Sequence, residues 1–187
     1  YDESSGALLW EFNVSARDRR VAGSPTVVDE TVYLYATPYN YDGGDPPVYG
    51  ASVFALHAGN GTAKWTRHLS MNASVNVDQA PVVDDGLVFV AGGRADGRDD
   101  VNASVLALHA ADGSTAWRYD VNEDGTEERF DWVTVEDGTA VAALYDRTEP
   151  YSYDYEERLV AIDTANGNSV WSTSNLNIDM NRPPVVR

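Results

Sequence analysis

The apolar residues of this chain fall in short runs. Thr31–Ala36, Leu87–Ala91, Ser104–Leu108, Thr139–Ala143 and Arg158–Ile162 are each five or six residues long and rich in Val, Leu, Ile, Ala and aromatic side chains. Such runs, continuous or alternating, predict β-strands. Between them stand Asn60-Gly61, Asp85-Gly86, Asp112-Gly113, Asp137-Gly138 and Asn166-Gly167. Asn-Gly and Asp-Gly steps supply the positive φ angles of tight hairpins. No stretch holds a 3.6-residue apolar period, so the chain is predicted to be all-β.

The pattern repeats. Trp10, Trp65, Trp117 and Trp171 are spaced by 55, 52 and 54 residues, and each closes the same phrase. The full copies begin at Ala55, Ala107 and Ala161, and a truncated copy opens the chain. Gly6, Gly61, Gly113 and Gly167 each stand four residues before the tryptophan. A second phrase, Pro-Thr-Val-Val or Pro-Val-Val, recurs in step at Pro25, Pro81 and Pro184, with a degenerate copy at Val133. Each period then holds four strands in an antiparallel meander, A to D. A four-stranded unit of about 50 residues in tandem predicts a β-propeller blade.

These phrases resemble the PQQ-like repeat of quinoprotein-dehydrogenase-type propellers, over essentially the whole chain. The resemblance implies that the four tryptophans dock between adjacent blades, and that the tight turns need glycine where a Cβ would clash. It assigns Trp10, Trp65, Trp117, Trp171 and Gly6, Gly61, Gly113, Gly167 to architecture and not to a cofactor. The expected organisation is one propeller segment. Residues 1–22 end a preceding blade and lead into the next; 23–78, 79–130 and 131–182 are blades; 183–187 begin another. A ring of seven or eight blades is expected from the family. A four-bladed ring and a half-ring completed by a second copy are alternatives. Cut blades expose strand edges, which invites self-association.

Composition narrows the chemistry. Of 187 residues, 30 are acidic and 13 basic, a net charge of −17, and there is no cysteine. Disulfides, cysteine-ligated zinc, iron–sulfur clusters and thiol catalysis are excluded. Nucleic acid is not an expected partner, because binding its backbone needs a basic footprint. An anionic bilayer would repel the chain, and its short apolar runs cannot span a membrane. The bases are twelve Arg and the single Lys64; the acids are 20 Asp and 10 Glu. An Asp-rich, Lys-poor surface suits concentrated brine, where the Debye length falls to ~3 Å. Asn-x-Ser/Thr sequons at Asn13, Asn60, Asn72 and Asn102 favour an extracellular or cell-surface location.

In a meander the A–B and C–D turns share one end of the blade, and the B–C and D–A connections share the other. The first set is short. The second is long, at 37–50, 92–101 and 144–157 for B–C, and long loops carry function. Tyr39, Tyr41, Tyr49, Tyr151, Tyr153 and Tyr155 crowd two of them and are candidate partner-binding residues for a protein or small ligand. The competing reading packs these rings back onto the blade edges. The D–A stretch 120–131 places oxygen donors at Asp120, Asn122, Asp124, Glu128 and Asp131, with the Thr126 carbonyl and Gly125 between. This spacing resembles a calcium loop, although Asp131 stands where a longer Glu would give bidentate ligation. A solvated acidic loop is the alternative. His57, His109 and Asp163 share one position in successive repeats, where a polar side chain bonding into its turn is expected.

No catalytic residues stand out. The family's PQQ enzymes use a vicinal disulfide, a central calcium and a catalytic Asp; this chain has no cysteine and no recognisable central set, so PQQ is not expected. The reading is therefore a non-catalytic, salt-adapted scaffold that binds through its long-loop face. A part of a PQQ-dependent dehydrogenase and a sensor domain attached to a kinase-like protein are the alternatives.

Overall fold

The computed structural model describes residues 4–14, 20–37, 51–69, 80–93, 103–121, 128–147, 155–173 and 176. The first sheet holds β1 (Arg20–Val28), β2 (Thr31–Thr37), β3 (Ser52–His57) and β4 (Ala63–His68). The second holds β5 (Val82–Asp84), β6 (Leu87–Gly92), β7 (Ala103–His109) and β8 (Thr115–Val121). The third holds β9 (Glu128–Glu136), β10 (Thr139–Arg147), β11 (Tyr155–Asp163) and β12 (Ser169–Ser172). Each is an antiparallel meander with strands in chain order. No helix occurs among the described residues.

The hairpins follow from local chemistry. The A–B turns are two-residue loops, with positive φ at both Asp29 and Glu30, Asp85 and Gly86, Asp137 and Gly138. Two successive positive φ angles match the right-handed twist of the flanking strands. The C–D turns use a left-handed glycine: φ is +69° at Gly61, +71° at Gly113 and +76° at Gly167. In each, the side-chain oxygen of the preceding residue accepts the N–H of the following one, Asn60 to Thr62, Asp112 to Ser114 and Asn166 to Asn168. The two turns of a blade are tied together. Ala58, Ala110 and Thr164 donate their N–H to the carbonyls of Glu30, Gly86 and Gly138.

Two expectations about loop length change. β10 and β11 pair as far as Arg147 with Tyr155, so the third B–C connection is shorter than the expected 144–157. Leu144 and Tyr145 are buried and extend the apolar ladder past Ala143. Similarly, β8 runs to Val121 and β9 starts at Glu128, which brings both ends of the 120–131 stretch into strands.

The core lies between sheets. Tyr33, Tyr35, Val53 and Trp65 of the first sheet pack on Val88, Val90, Leu106 and Leu108 of the second. Phe89, Val105 and Trp117 of the second pack on Phe130, Val133, Ala142, Val160 and Ile162 of the third. The opposite face of the first sheet is covered by Trp10, Phe12 and Val14 of the N-terminal segment. Strand centres are therefore buried on both sides, which explains continuous apolar runs such as Val53–Leu56 in place of simple alternation.

Candidate functional site

The turn end of the molecule is an architectural site repeated three times. Trp10, Trp65 and Trp117 each lie across the C–D glycine of the following sheet. A Cβ added to Gly113 would fall 2.6 Å from Trp65 Cε3, and one on Gly167 2.8 Å from Trp117 Cδ2; Gly61 is covered by Trp10 in the same way. Each indole Nε1 donates to the carbonyl three residues before its glycine: Trp10 to Ala58 at 2.7 Å, Trp65 to Ala110 at 2.8 Å, Trp117 to Thr164 at 2.7 Å. Burying an indole without a partner for its N–H would forfeit much of its apolar gain, so the carbonyl is part of the seat. Trp65 and Trp117 are each 9% exposed, whereas Trp171 is 45% exposed. Gly6 has the same left-handed backbone, φ +68°, and nothing within 4 Å of its Cβ position.

The other end of the sheets carries the long connections and a different set of polar groups. Ser52 on β3 faces His68 on β4, Oγ to Nδ1 at 2.7 Å. The equivalent pair in the second sheet is Ser104 and Asp120, where Ser104 Oγ donates to Asp120 Oδ1 at 2.5 Å. Arg118 Nε also donates to that oxygen, and Arg118 Nη2 to Ser104 Oγ at 2.9 Å. Both serines are buried. In the third sheet Arg158 takes the serine's register position, opposite Leu144. The same backbone site thus holds serine in the first two sheets, with different cross-strand partners, and arginine in the third.

Of the residues singled out for calcium, Asp120 lies at the end of β8 and shares Oδ1 with Ser104 and Arg118. Asp131 is buried at the β9 irregularity, between Phe130 opposite Leu144 and Trp132 opposite Ala143. Glu128 is the first residue of β9. Asn122, Asp124 and Thr126 lie outside the described residues. Among the described residues no group of three or more His, Asp or Glu is placed to hold a metal. Tyr39, Tyr41, Tyr49, Tyr151 and Tyr153 also lie outside them, and Tyr155 is the first residue of β11. At the position shared by His57, His109 and Asp163, the Asp163 carboxylate accepts from Ala165 N–H and from Asn166 Nδ2, as a turn-bonding residue does.

Sequence reasoning missed the Ser104–Asp120–Arg118 cluster, because its members lie 14 and 16 residues apart and meet only through the β7–β8 register. It also missed Tyr35. The buried phenol donates to the Phe89 carbonyl at 2.6 Å and links the first two sheets. Burial with no compensating charge pushes its pKa well up.

The family model for the outer membrane protein assembly factor BamB, a PQQ-like repeat family, matches residues 1–185. The chain belongs to this family. The sheets also superimpose on solved propellers. A quinohemoprotein alcohol dehydrogenase from Comamonas testosteroni matches with a TM-score of 0.52 and 17% identity, over 84% of this chain and 35% of that one. Quinohemoprotein alcohol dehydrogenase ADHIIG from Pseudomonas putida HK5 matches with a TM-score of 0.50 and 15% identity, over 90% and 36%. The computationally designed Ika8 protein matches with a TM-score of 0.51 and 12% identity, over 89% and 41%. The chain therefore spans well under half the length of these structures. No curated protein matches the sequence. At these identities the likeness establishes the propeller fold.

Proposed function

We propose that this chain is a non-catalytic binding scaffold that engages a protein or small ligand through the end of the blades bearing the long connections. The observation that carries the reading is the division between the two ends. Glycines, tryptophans and turn hydrogen bonds recur at one end and are occupied with blade docking. At the other end the equivalent positions pair Ser52 with His68 and Ser104 with Asp120, and carry Arg158 in the third sheet. A surface that varies on a fixed frame is how repeat folds build recognition sites. The family's description as an outer membrane protein assembly factor supports a protein partner. Tyrosines at 39, 41, 49, 151 and 153 would supply contact area with little entropy loss on ordering. The acid surface and the scarcity of lysine favour a salt-rich, extracellular setting, and the 120–131 stretch would bind Ca²⁺ between β8 and β9.

Pull-down from high-salt extract tests the reading, with 38–50 and 148–154 each replaced by short Gly-Ser linkers. Partners should be lost from the replaced forms and retained by the parent; partners indifferent to both replacements would overturn the proposal. The second reading, a piece of a PQQ-dependent dehydrogenase, draws on the two alcohol dehydrogenases that share the fold. It requires dye reduction by alcohols when PQQ and Ca²⁺ are supplied. For calcium itself, calorimetry on metal-stripped protein should show heat at millimolar Ca²⁺ or below. None at that concentration ends the assignment.

A further inference from the structure

The chain holds two Asn-Gly steps, Asn60-Gly61 and Asn166-Gly167, and both form C–D turns beneath a docked tryptophan. An Asn-Gly step is chemically labile, because glycine has no side chain to shield its backbone nitrogen. That nitrogen attacks the asparagine Cγ, a C–N bond forms, and ammonia leaves. Water then opens the five-membered imide at one of its two carbonyls. One opening gives aspartate in the normal chain. The other gives isoaspartate, whose backbone runs through the former side chain. Both asparagines are exposed, so water reaches them.

The folded turn blocks the attack in three ways. The attacking nitrogens are engaged: Gly61 N–H donates to the His57 carbonyl and Gly167 N–H to the Asp163 carbonyl, each at 2.8 Å. The carboxamides are held. Asn60 Oδ1 accepts from Thr62 N–H at 3.0 Å and from the Thr62 hydroxyl at 2.7 Å. Asn166 Oδ1 accepts from Asn168 N–H at 2.8 Å, and its Nδ2 donates to Asp163 Oδ2 at 2.9 Å. Finally, an indole lies on each glycine. A Cβ on Gly167 would fall 2.8 Å from Trp117 Cδ2, so the glycine backbone cannot swing toward Asn166 without displacing the ring; Trp10 covers Gly61 in the same way.

The two products differ in what they leave of the seat. Asp112 holds the same position in the second sheet, where its Oδ1 accepts from Ser114 N–H at 2.8 Å, so aspartate fits the turn. Isoaspartate puts one extra methylene into the backbone just before the glycine. In the third sheet this separates Gly167 from the Thr164 carbonyl that receives the Trp117 Nε1 hydrogen bond, and the indole needs both in place. We infer that Asn60 and Asn166 are sites of spontaneous deamidation gated by the tryptophan seats. Each is inert while its indole is docked. Each turns over once the blades part there, and the isoaspartate formed keeps the indole from redocking. Both turns lie at the end opposite the long connections, so the inference stands or falls separately from the scaffold reading.

Peptide mass spectrometry, with isoaspartate separated chromatographically from aspartate, follows both sites during incubation in mildly alkaline buffer. A reaction that needs an open turn tracks the population of the open form, so both asparagines should react about tenfold or more slowly in the folded parent than in urea. Trp117→Ala should speed Asn166 about tenfold or more and leave Asn60 at the parent rate, and Trp10→Ala should do the reverse. Circular dichroism matching the parent checks that each variant is folded. Should Trp117→Ala fail that check, Trp117→Phe replaces it, since it keeps a ring and loses only the hydrogen bond to the Thr164 carbonyl. Equal rates in folded and urea-unfolded parent overturn the inference. So does a folded variant whose own asparagine stays at the parent rate, or one in which both sites speed up together. Chains recovered with isoaspartate at 166 should melt below the Asn166→Asp variant; equal melting would overturn the block on redocking.

Discussion

The two ends of each sheet are built from the same strands and obey different rules. At the turn end the three blades are near copies. Left-handed glycine, side-chain cap, turn-to-turn hydrogen bond and indole-to-carbonyl hydrogen bond recur with little variation. At the loop end the register positions match and the chemistry does not: serine with histidine, serine with aspartate and arginine, then arginine. The difference teaches that repetition here marks contact between blades. Individuality marks the places where the blades do not constrain each other.

The contrast can be broken most directly at Trp117. Its removal by Trp117→Ala should cost about 3–5 kcal/mol, the range for a buried aromatic in a core. Urea unfolding would show the loss. A change under about 1 kcal/mol would mean that the turn end is ornament. Gly113→Val should come next, because the new side chain meets the Trp65 ring and must adopt a positive φ; more than about 1 kcal/mol is expected. Thermal unfolding with Gly86→Val as the control separates left-handed strain from the seat itself, since Gly86 has φ +73° and nothing within 4 Å of its Cβ position.

Smaller effects sharpen the same comparison. Tyr35→Phe removes the hydrogen bond to Phe89 and should cost about 1 kcal/mol in urea unfolding. The wild-type protein should also lose stability as pH rises above the ordinary tyrosine value of about 10, because the unfolded phenol releases its proton there and the buried one does not. Asp112→Asn should be the mildest. Hydrogen bonds from the Ser114 hydroxyl and backbone N–H hold the Asp112 carboxyl below the usual range. A depressed folded pKa adds stability above the unfolded value of about 3.9, and this is lost as pH falls through the folded value. Asparagine keeps the acceptor, as Asn60 and Asn166 do, without the titration. The variant should match the parent at pH 7 and show a flatter acid limb below pH 4.

The repeat was legible because blade contact demands the same residues each time. Trp10, Trp65 and Trp117 and the glycines could be read from spacing, but only the structure shows each indole lying on the glycine of the following sheet. The strands at 31–36, 87–91 and 104–108 were legible for a related reason. Burial on both faces leaves apolar runs that hydration would otherwise interrupt. The ends of β10 and β11 were not legible. Tyr145, Asp146, Arg147 and Glu156 look like loop residues one at a time, and only their cross-strand register makes them a ladder. Asp131 was read as a loop ligand because charge signals exposure on average. Its burial follows from the irregularity between Phe130 and Trp132, which turns a residue inward against the alternation. The first A–B turn also escaped the Asp-Gly signal, since Asp29 and Glu30 adopt positive φ without a glycine.

Lys64 offers a practical handle. It is the one side-chain amine in the chain. It sits on β4 next to Trp65, and its Nζ donates to Thr31 Oγ1 at 2.5 Å, beside the first hairpin turn. With the N-terminal α-amine blocked beforehand, amine acylation of the folded protein would therefore attach a bead, dye or sensor chip at a single side chain near the turns. Every molecule so tethered would present its long connections outward in a common orientation.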